Sequence, residues 1–357
     1  MPAISIQGPR GRCRPFLFLL LLLSQLLLPA CDADPDAELF DTTVSSTLGP
    51  QHLALIINDE DPLSRRIGEY YLTKRHIPAS NVIHVKFKPG NDVMRPQTFR
   101  SIKAQLDTQV PSGVQAYVLT WTAPYRVGCM SITTAFAAGF DEAFCVQGCK
   151  ATRPNPYFNS TSQRPFTDHD WRPSMMLAGE TFAAVKALID RGVAADSTHP
   201  DGTAYLLSTS DRARNTRARF YPGVELLQSD RFKVEVIEGD ALQHRDDVMF
   251  YFTGLVHVKD IDSNHYRPGA IADHLTSAGG KLTGSRQMSS LRWLEAGATG
   301  SYGTVVEPCA FVQKFPRPNI VIDRYLNGET LLEAYWKSVE WPGQGVFIGE
   351  PLAAPFR

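Results

Sequence analysis

The strongest constraint on the fold is an alternation that runs along the chain from about residue 50. Short, continuous apolar runs alternate with segments in which apolar residues recur at helical spacing, as Ile67, Tyr70 and Tyr71 do. Strands are predicted at 52–58, 82–87, 116–120, 204–208, 234–238, 248–253, 269–273 and 346–348, and helices at 62–74, 96–110, 180–191, 289–296, 319–326 and 330–339. Continuous apolar strands separated by helices predict an α/β fold whose mostly parallel sheet is flanked by helices on both faces.

The alternation stops between residues 121 and 173. This stretch is rich in Pro, Asn, Ser and Thr and holds Cys129, Cys145 and Cys149. We predict a long, ordered excursion that lies over one end of the sheet, because cysteines and aromatic residues are unusual in disordered segments. With 43% hydrophobic residues, residues 47–357 are interpreted as a single α/β domain.

The first thirty residues are predicted to be a cleaved leader. Arg10, Arg12 and Arg14 precede the almost purely leucine run 16–28, which is too short to span a bilayer. Small residues then lead to Cys31. The pattern predicts a lipoprotein signal peptide that is cut before Cys31, with Cys31 lipidated. The alternative is an ordinary secretory signal with a chance cysteine.

The residues after Cys31 are predicted to tether the domain to the membrane. Residues 31–46 begin acidic and show no apolar periodicity, which indicates a solvated segment. Asp32 favours the inner membrane where lipoproteins are sorted between two membranes, so the domain would face the periplasm or the cell exterior. The leader carries three arginines and no acidic residue, so its removal changes the net charge from −1 to −4. We therefore predict no nucleic-acid partner.

Four cysteines remain after processing, and an oxidising compartment makes them disulfide candidates. Cys145 and Cys149 are separated by a stretch that includes Gly148, which favours a local bridge between them. Four cysteines allow three pairings, and the sequence leaves the choice open. A zinc site is disfavoured because no second Cys/His pair has matching spacing.

Several titratable residues follow predicted strands, where open α/β sheets bind ligands. The candidate catalytic residues are His257, Asp273, His274, Glu307 and Cys309. One hypothesis makes Cys309 a nucleophile with a histidine as its base, Asp273 and Glu307 being nearby. The alternative is that Cys309 is bridged, for example to Cys129. Ser208–Asp211 and Asp59–Asp61, which also follow strands, are interpreted mainly as caps and turns.

Other common sites are not supported by the sequence. Asp260, Asp262 and Asn264 have the spacing of the first half of a calcium loop, but His265 replaces its glycine and Ile271 its final glutamate. The sequence holds no G-x-S-x-G elbow, phosphate-binding loop or dinucleotide fingerprint. We predict neither a metal nor a cofactor.

Five longer stretches are distinctive: residues 172–179, 188–196, 269–280, 300–309 and 333–339. Together they resemble an uncharacterised family of exported bacterial proteins. The resemblance covers nearly all of the chain after the leader. That family tends to occur with exosortase-type sorting systems, which implies a role in the cell envelope or in surface export. It implies no particular activity.

In the C-terminal half, Thr253-Gly254, Asp273 to Ser277 and Gly349-Glu350-Pro351 give the chain a second resemblance, to gingipain-type peptidases with a caspase-like fold. In those enzymes one strand ends in His-Gly, the next ends in the nucleophilic cysteine, and a Gly-Asp-Pro turn closes the chain. Thr253-Gly254, Asp273 to Ser277 and Gly349-Glu350-Pro351 occupy the corresponding places. Neither the histidine nor the cysteine is present there, and His257 comes three residues late. The resemblance implies an inherited fold without its peptidase chemistry.

Two functions follow from these observations. The favoured one is a non-catalytic binding or assembly factor, anchored by lipid, whose partners are exported proteins or an envelope polysaccharide. The alternative is a cysteine-dependent, peptidase-like hydrolase that uses Cys309 with His257 or His274. The state of Cys309 separates the two, because a bridged sulfur is no nucleophile.

Overall fold

The computed structural model of the protein describes residues 47–357. The predicted leader, the lipidation site Cys31 and the acidic tether 31–46 lie outside the described residues. Within 47–357, no helix is both long enough and apolar enough to cross a membrane.

The described residues contain the following strands and helices. The strands are β1 (Leu53–Asn58), β2 (Val82–Val85), β3 (Val93–Met94), β4 (Ala116–Leu119), β5 (Arg126–Val127), β6 (Met130–Ser131), β7 (Ser174–Met176), β8 (Gly202–Ser208), β9 (Phe232–Glu238), β10 (Val248–Thr253), β11 (Tyr266–His274), β12 (Gly300–Thr304) and β13 (Gly345–Gly349). The helices are α1 (Pro62–Arg75), α2 (Pro96–Asp107), α3 (Ile132–Ala138), α4 (Pro165–His169), α5 (Phe182–Ala195), α6 (Tyr221–Glu225), α7 (Leu291–Ala296), α8 (Pro318–Leu326) and α9 (Leu331–Ser338).

One ten-stranded sheet organises the domain, in the order β2-β1-β4-β7-β13-β12-β11-β10-β8-β9. Neighbouring strands run parallel except at the centre, where β12 and β13 are antiparallel. The sheet therefore consists of two five-stranded parallel halves that run in opposite directions and meet at the β12–β13 pair. The predicted α/β class with a mostly parallel sheet is confirmed.

Both faces of the sheet are buried, as expected for parallel strands connected by helices. Along β8, Ala204 and Leu206 face the larger apolar core, whereas Tyr205 and Leu207 face a second, smaller core. Alternate residues of a strand point to opposite faces. A continuous apolar run is thus the pattern that burial of both faces requires.

Strand β12 was not among the predicted strands, because its sequence lacks branched apolar residues. Steric contacts explain why glycine occupies these positions. A Cβ added at Gly303 would collide with the backbone of Gly279 and Gly280, and one added at Gly345 on β13 would collide with the Tyr302 ring. The central pair of strands therefore needs glycine for close approach. The short strand β7 was also missed.

The 121–173 interval is more regular than the predicted excursion. It contains β5, β6, α3 and α4, and α3 packs against β4, β7 and β13. Phe136 on α3 is fully buried in the main core. This part of the chain therefore supplies one helix of the sheet's covering layer and is not simply a loop over its end.

A buried ion pair joins the start of the domain to its end. Arg75, the last residue of α1, binds Glu350 through two nitrogens, and the Nε–Oε1 distance is 3.0 Å. The Tyr71 hydroxyl donates to the same carboxylate at 2.7 Å, and Arg75 also pairs with Asp196 after α5. Glu350 is fully buried, and Gly192 on α5 leaves room for it. Glu350, in the predicted closing turn Gly349-Glu350-Pro351, therefore links the C-terminal end of the domain to α1 and, through Arg75, to the end of α5.

Replacing Arg75 by methionine should lower the free energy of unfolding by about 3–5 kcal/mol, because the Glu350 carboxylate would stay buried without a cation. Urea-induced unfolding of the purified protein measures this. The matched control is Arg231→Met, whose partner Asp201 is 69% exposed, and it should cost about 1 kcal/mol or less. Equal losses in the two variants would contradict the proposed clamp.

Candidate functional site

The central antiparallel pair separates the predicted strand-end candidates onto two edges. Carboxyl ends of parallel strands meet at one edge, and the two halves of this sheet run in opposite directions. Asp59–Asp61, which follow β1, lie at one edge. The catalytic candidates, which lie at or after the ends of β10, β11 and β12, are at the other edge, together with Ser208–Asp211. The strand-end residues therefore do not form one cluster.

Asp273, near the end of β11, is fully buried and paired with Arg217. The same guanidinium donates to the Thr253 carbonyl, the last of β10, at 2.8 Å. Burial raises the pKa of the Asp273 carboxyl, against the opposing attraction of Arg217. Arg217 itself is 1% exposed. The ends of the two adjacent strands are thus joined by a side chain that fills the space between them.

His274 is held in one protonation state by its two hydrogen bonds. The Trp293 Nε1–H donates to Nδ1 at 2.9 Å, and Nε2 lies 3.1 Å from the Met288 carbonyl oxygen. Because indole only donates and a carbonyl only accepts, the imidazole is neutral with its proton on Nε2. Burial lowers the pKa of His274 to about 3. His274 therefore has no free lone pair with which to act as a base.

Asp273 and His274 point to opposite faces of the sheet, because they are successive residues of a strand. Asp273 lies beside Arg217, and His274 packs against Trp293 in the smaller core. His257, in contrast, is exposed after β10. These three predicted residues do not form a catalytic group with one another.

The four described cysteines form two disulfides, Cys129–Cys145 and Cys149–Cys309, with Cα–Cα distances of 5.4 and 5.6 Å. The predicted membership of Cys145 and Cys149 in disulfides is correct, but their predicted pairing with each other is wrong. Cys145 turns towards the β5–β6 connection, and Cys149 reaches the segment after β12. Cys309 is consequently bridged, and the predicted nucleophilic thiol is absent from this form of the protein.

Glu307 has a structural role in the same segment. Its carboxylate accepts the Cys309 backbone N–H, with both oxygens at 3.1 Å, and lies 3.7 Å from the Lys314 Nζ. Both side chains are buried, and burial lowers the pKa of the Lys314 ammonium. Glu307 therefore shapes the turn that carries Cys309, and its carboxylate is not available to a substrate.

The remaining polar candidates stabilise turns, Thr209 and Asp211 at this edge and Asn264 just before the start of β11, at the opposite edge. Thr209 donates to the Gly254 carbonyl at 2.8 Å, and Asp211 accepts the Arg214 backbone N–H at 3.2 Å. Asn264 donates to the Leu242 carbonyl at 2.9 Å. No group of three or more His, Cys, Asp or Glu residues within 47–357 is arranged to hold a metal ion.

Sequence reasoning missed Arg217, the residue that organises this edge. The available indication was the run 211–220, which contains Arg212, Arg214, Arg217 and Arg219 after a strand. A carboxylate at the end of an apolar strand, as Asp273 is, requires a cation when it is buried. The two features together could have suggested the pair, although not which arginine forms it.

Comparison with known proteins identifies no family for this chain. No protein-family model matches the chain, and no curated protein matches it. A solved structure described as "Structure of Protease" is similar over 86% of this chain and 78% of that chain, at 8% identity and a TM-score of 0.46. A likeness of this size transfers no chemistry. The two family resemblances seen in the sequence remain predictions.

The neutral state of His274 predicts an acid-dependent loss of stability. Its pKa is depressed in the folded protein, so its contribution is complete above pH of about 6.5 and is lost as the pH falls towards about 3. Between these limits, wild type should lose up to about 1.4 kcal/mol more per pH unit than His274→Gln. Urea unfolding at several pH values measures the slope.

His257→Gln is the matched control, because His257 is exposed. This variant should keep the wild-type slope. A wild-type slope in the His274→Gln protein as well would contradict the assignment of a neutral, buried His274.

Proposed function

We propose that this protein is an exported, lipid-anchored binding or assembly factor of the cell envelope, without peptidase chemistry at its strand ends. Its partners would be exported proteins or an envelope polysaccharide. The mature net charge of −4 is consistent with partners other than nucleic acid.

The observation that carries this proposal is the bond between Cys309 and Cys149. Cys309 was the candidate nucleophile of the alternative, hydrolytic function, and a sulfur in a disulfide cannot attack a carbonyl as a thiolate. Of the two candidate bases, His274 gives no support either, since both of its ring nitrogens are occupied by hydrogen bonds. A cysteine hydrolase would first require reduction of this bridge.

The contacts at the ends of β10 and β11 support the same proposal. By the caspase-like resemblance, these are the places for a catalytic histidine and cysteine. Thr253 and Asp273 stand near them instead, and Arg217 bonds to both. A buried guanidinium between two strand ends leaves no space there for a substrate carbonyl, whereas it suits a rigid support for a binding surface.

Thiol chemistry tests the absence of a nucleophile. The purified protein, unreduced and denatured, should take up no iodoacetamide at Cys129, Cys145, Cys149 or Cys309, because all four are bridged. Reduction should add four labels. Peptide mass spectrometry identifies the sites, and alkylation of Cys309 in the unreduced native protein would overturn the proposal.

Partner capture tests the binding role. A Cys149→Ser, Cys309→Ser variant should retain the partner that co-purifies with wild type, since the proposal assigns no chemistry to the sulfur. The matched control is Cys129→Ser, Cys145→Ser, which removes the other bridge. Selective loss of hydrolytic turnover of a captured partner in the Cys309 variant would favour the hydrolase.

The anchor is tested separately in full-length protein expressed in a bacterium with two membranes. Cys31→Ala should move the protein out of the membrane fraction, because stable anchoring needs the acyl chains. Asp32→Ser should keep it membrane-bound but shift it from the inner to the outer membrane. Fractionation followed by immunoblotting gives both results, and a Cys31→Ala protein that stays with the membrane would contradict lipidation at Cys31.

A further inference from the structure

A polar cavity of about 450 Å³ lies between α2, α3, α4 and the start of β4. Its volume is within the usual range of small-molecule sites. Its walls include Tyr117 from β4, Phe166 from α4, and the charged residues Lys103, Asp107, Asp170 and Arg172. Ala137, Ala138 and Gly139 at the end of α3 leave the space open.

The Tyr117 side chain is fully buried, and its hydroxyl makes no well-formed hydrogen bond within residues 47–357, although the side chains of Arg172 and Asp107 lie near it. It lies between Arg172 and Asp107, and burial raises its pKa well above the usual value, so the hydroxyl is protonated. A buried donor without an acceptor costs roughly 1–3 kcal/mol. The cavity therefore offers one donor that an oxygen of a ligand would satisfy.

Arg172 supplies further donors on the same side. Its Nε donates to the Val114 carbonyl at 3.1 Å, and its guanidinium stacks over Phe166 with 3.2 Å from Cζ to the ring centroid. These contacts fix the plane of the guanidinium. Its terminal nitrogens form no ion pair with a carboxylate among residues 47–357, and the guanidinium lies close to the Tyr117 hydroxyl. A planar, fixed pair of N–H donors suits a carboxylate.

A carboxylate of charge opposite to Arg172, that of Asp170, lines the same cavity. Lys103 and Asp107 neutralise each other at 2.5 Å, but Asp170 forms no ion pair within the described part of the chain. Asp170 ends α4 in the left-handed conformation, with φ of 57°. The cavity thus presents an unpaired cation and an unpaired anion, with no net charge between them.

We propose that this cavity binds a free α-amino acid. The guanidinium of Arg172 and the hydroxyl of Tyr117 hold the carboxylate, and Asp170 accepts from the ammonium group. The side chain of the ligand lies against the alanines of α3. This site is independent of the proposed function above, because it shares no residue with the edge that carries Cys309 and Arg217.

Isothermal titration of the purified protein with each common L-amino acid tests the proposal. At least one should bind, and its α-hydroxy acid and its decarboxylated amine should bind roughly 10- to 100-fold more weakly, since each lacks one charged contact. Glucose and N-acetylglucosamine are included because a mixed Asp/Arg surface also suits sugar hydroxyls.

Three variants assign the contacts. Tyr117→Phe and Arg172→Gln should each weaken the best amino acid roughly 10- to 100-fold. Asp170→Asn should do the same, and asparagine tolerates the left-handed backbone. Tyr117→Phe should also leave the melting temperature unchanged or raised, because it removes an unsatisfied buried hydroxyl.

Tyr157→Phe is the matched control, since Tyr157 is another fully buried tyrosine whose hydroxyl lacks a partner, and it does not line this cavity. Its affinity should equal that of wild type. The proposal is overturned if no amino acid binds wild type, if only a sugar binds, or if Tyr117→Phe and Tyr157→Phe have the same affinity.

Discussion

The pairing of β12 with β13 is the contact on which the rest of this domain depends. It joins two parallel half-sheets that run in opposite directions. Gly303 on β12 leaves room for the backbone of Gly279 and Gly280, and Gly345 on β13 leaves room for the Tyr302 ring. Because of this one antiparallel contact, the carboxyl ends of the strands are divided between two edges. Each edge then has its own loops, and residues that follow β1 and β11 cannot cooperate in one site.

The charges inside the domain are placed where elements distant in sequence must be joined. Arg75 ties α1 to the closing turn at Glu350, and Arg217 ties the segment after β8 to the end of β11. A buried ion pair gains little net stability over apolar packing, but loss of one partner is costly. Such pairs therefore specify which ends meet more than they strengthen the fold, and the apolar core supplies the stability.

The sequence was most informative where local periodicity decides the structure. Strand β10 was predicted with its observed ends, and α1 to within one residue, because burial of one face or two leaves a regular pattern. It was uninformative where a tertiary contact decides. The glycines of β12 look like a turn until Gly303 is seen against Gly280, and His274 looks like a base until Trp293 is seen to occupy its nitrogen. Strand direction and disulfide pairing are also decided by tertiary contacts, so the sequence alone did not predict them.

The bridge between Cys149 and Cys309 also bears on how the protein is made. The ribosome produces Cys149 160 residues before its partner, and during that interval Cys129 and Cys145 are its available neighbours. An early bond between Cys145 and Cys149 would leave Cys129 with only Cys309, a pairing that the native chain does not use. When Cys129 and Cys145 pair first, Cys149 is left for Cys309, whereas a chain that closes Cys145–Cys149 early reaches the native pairing only by thiol–disulfide exchange.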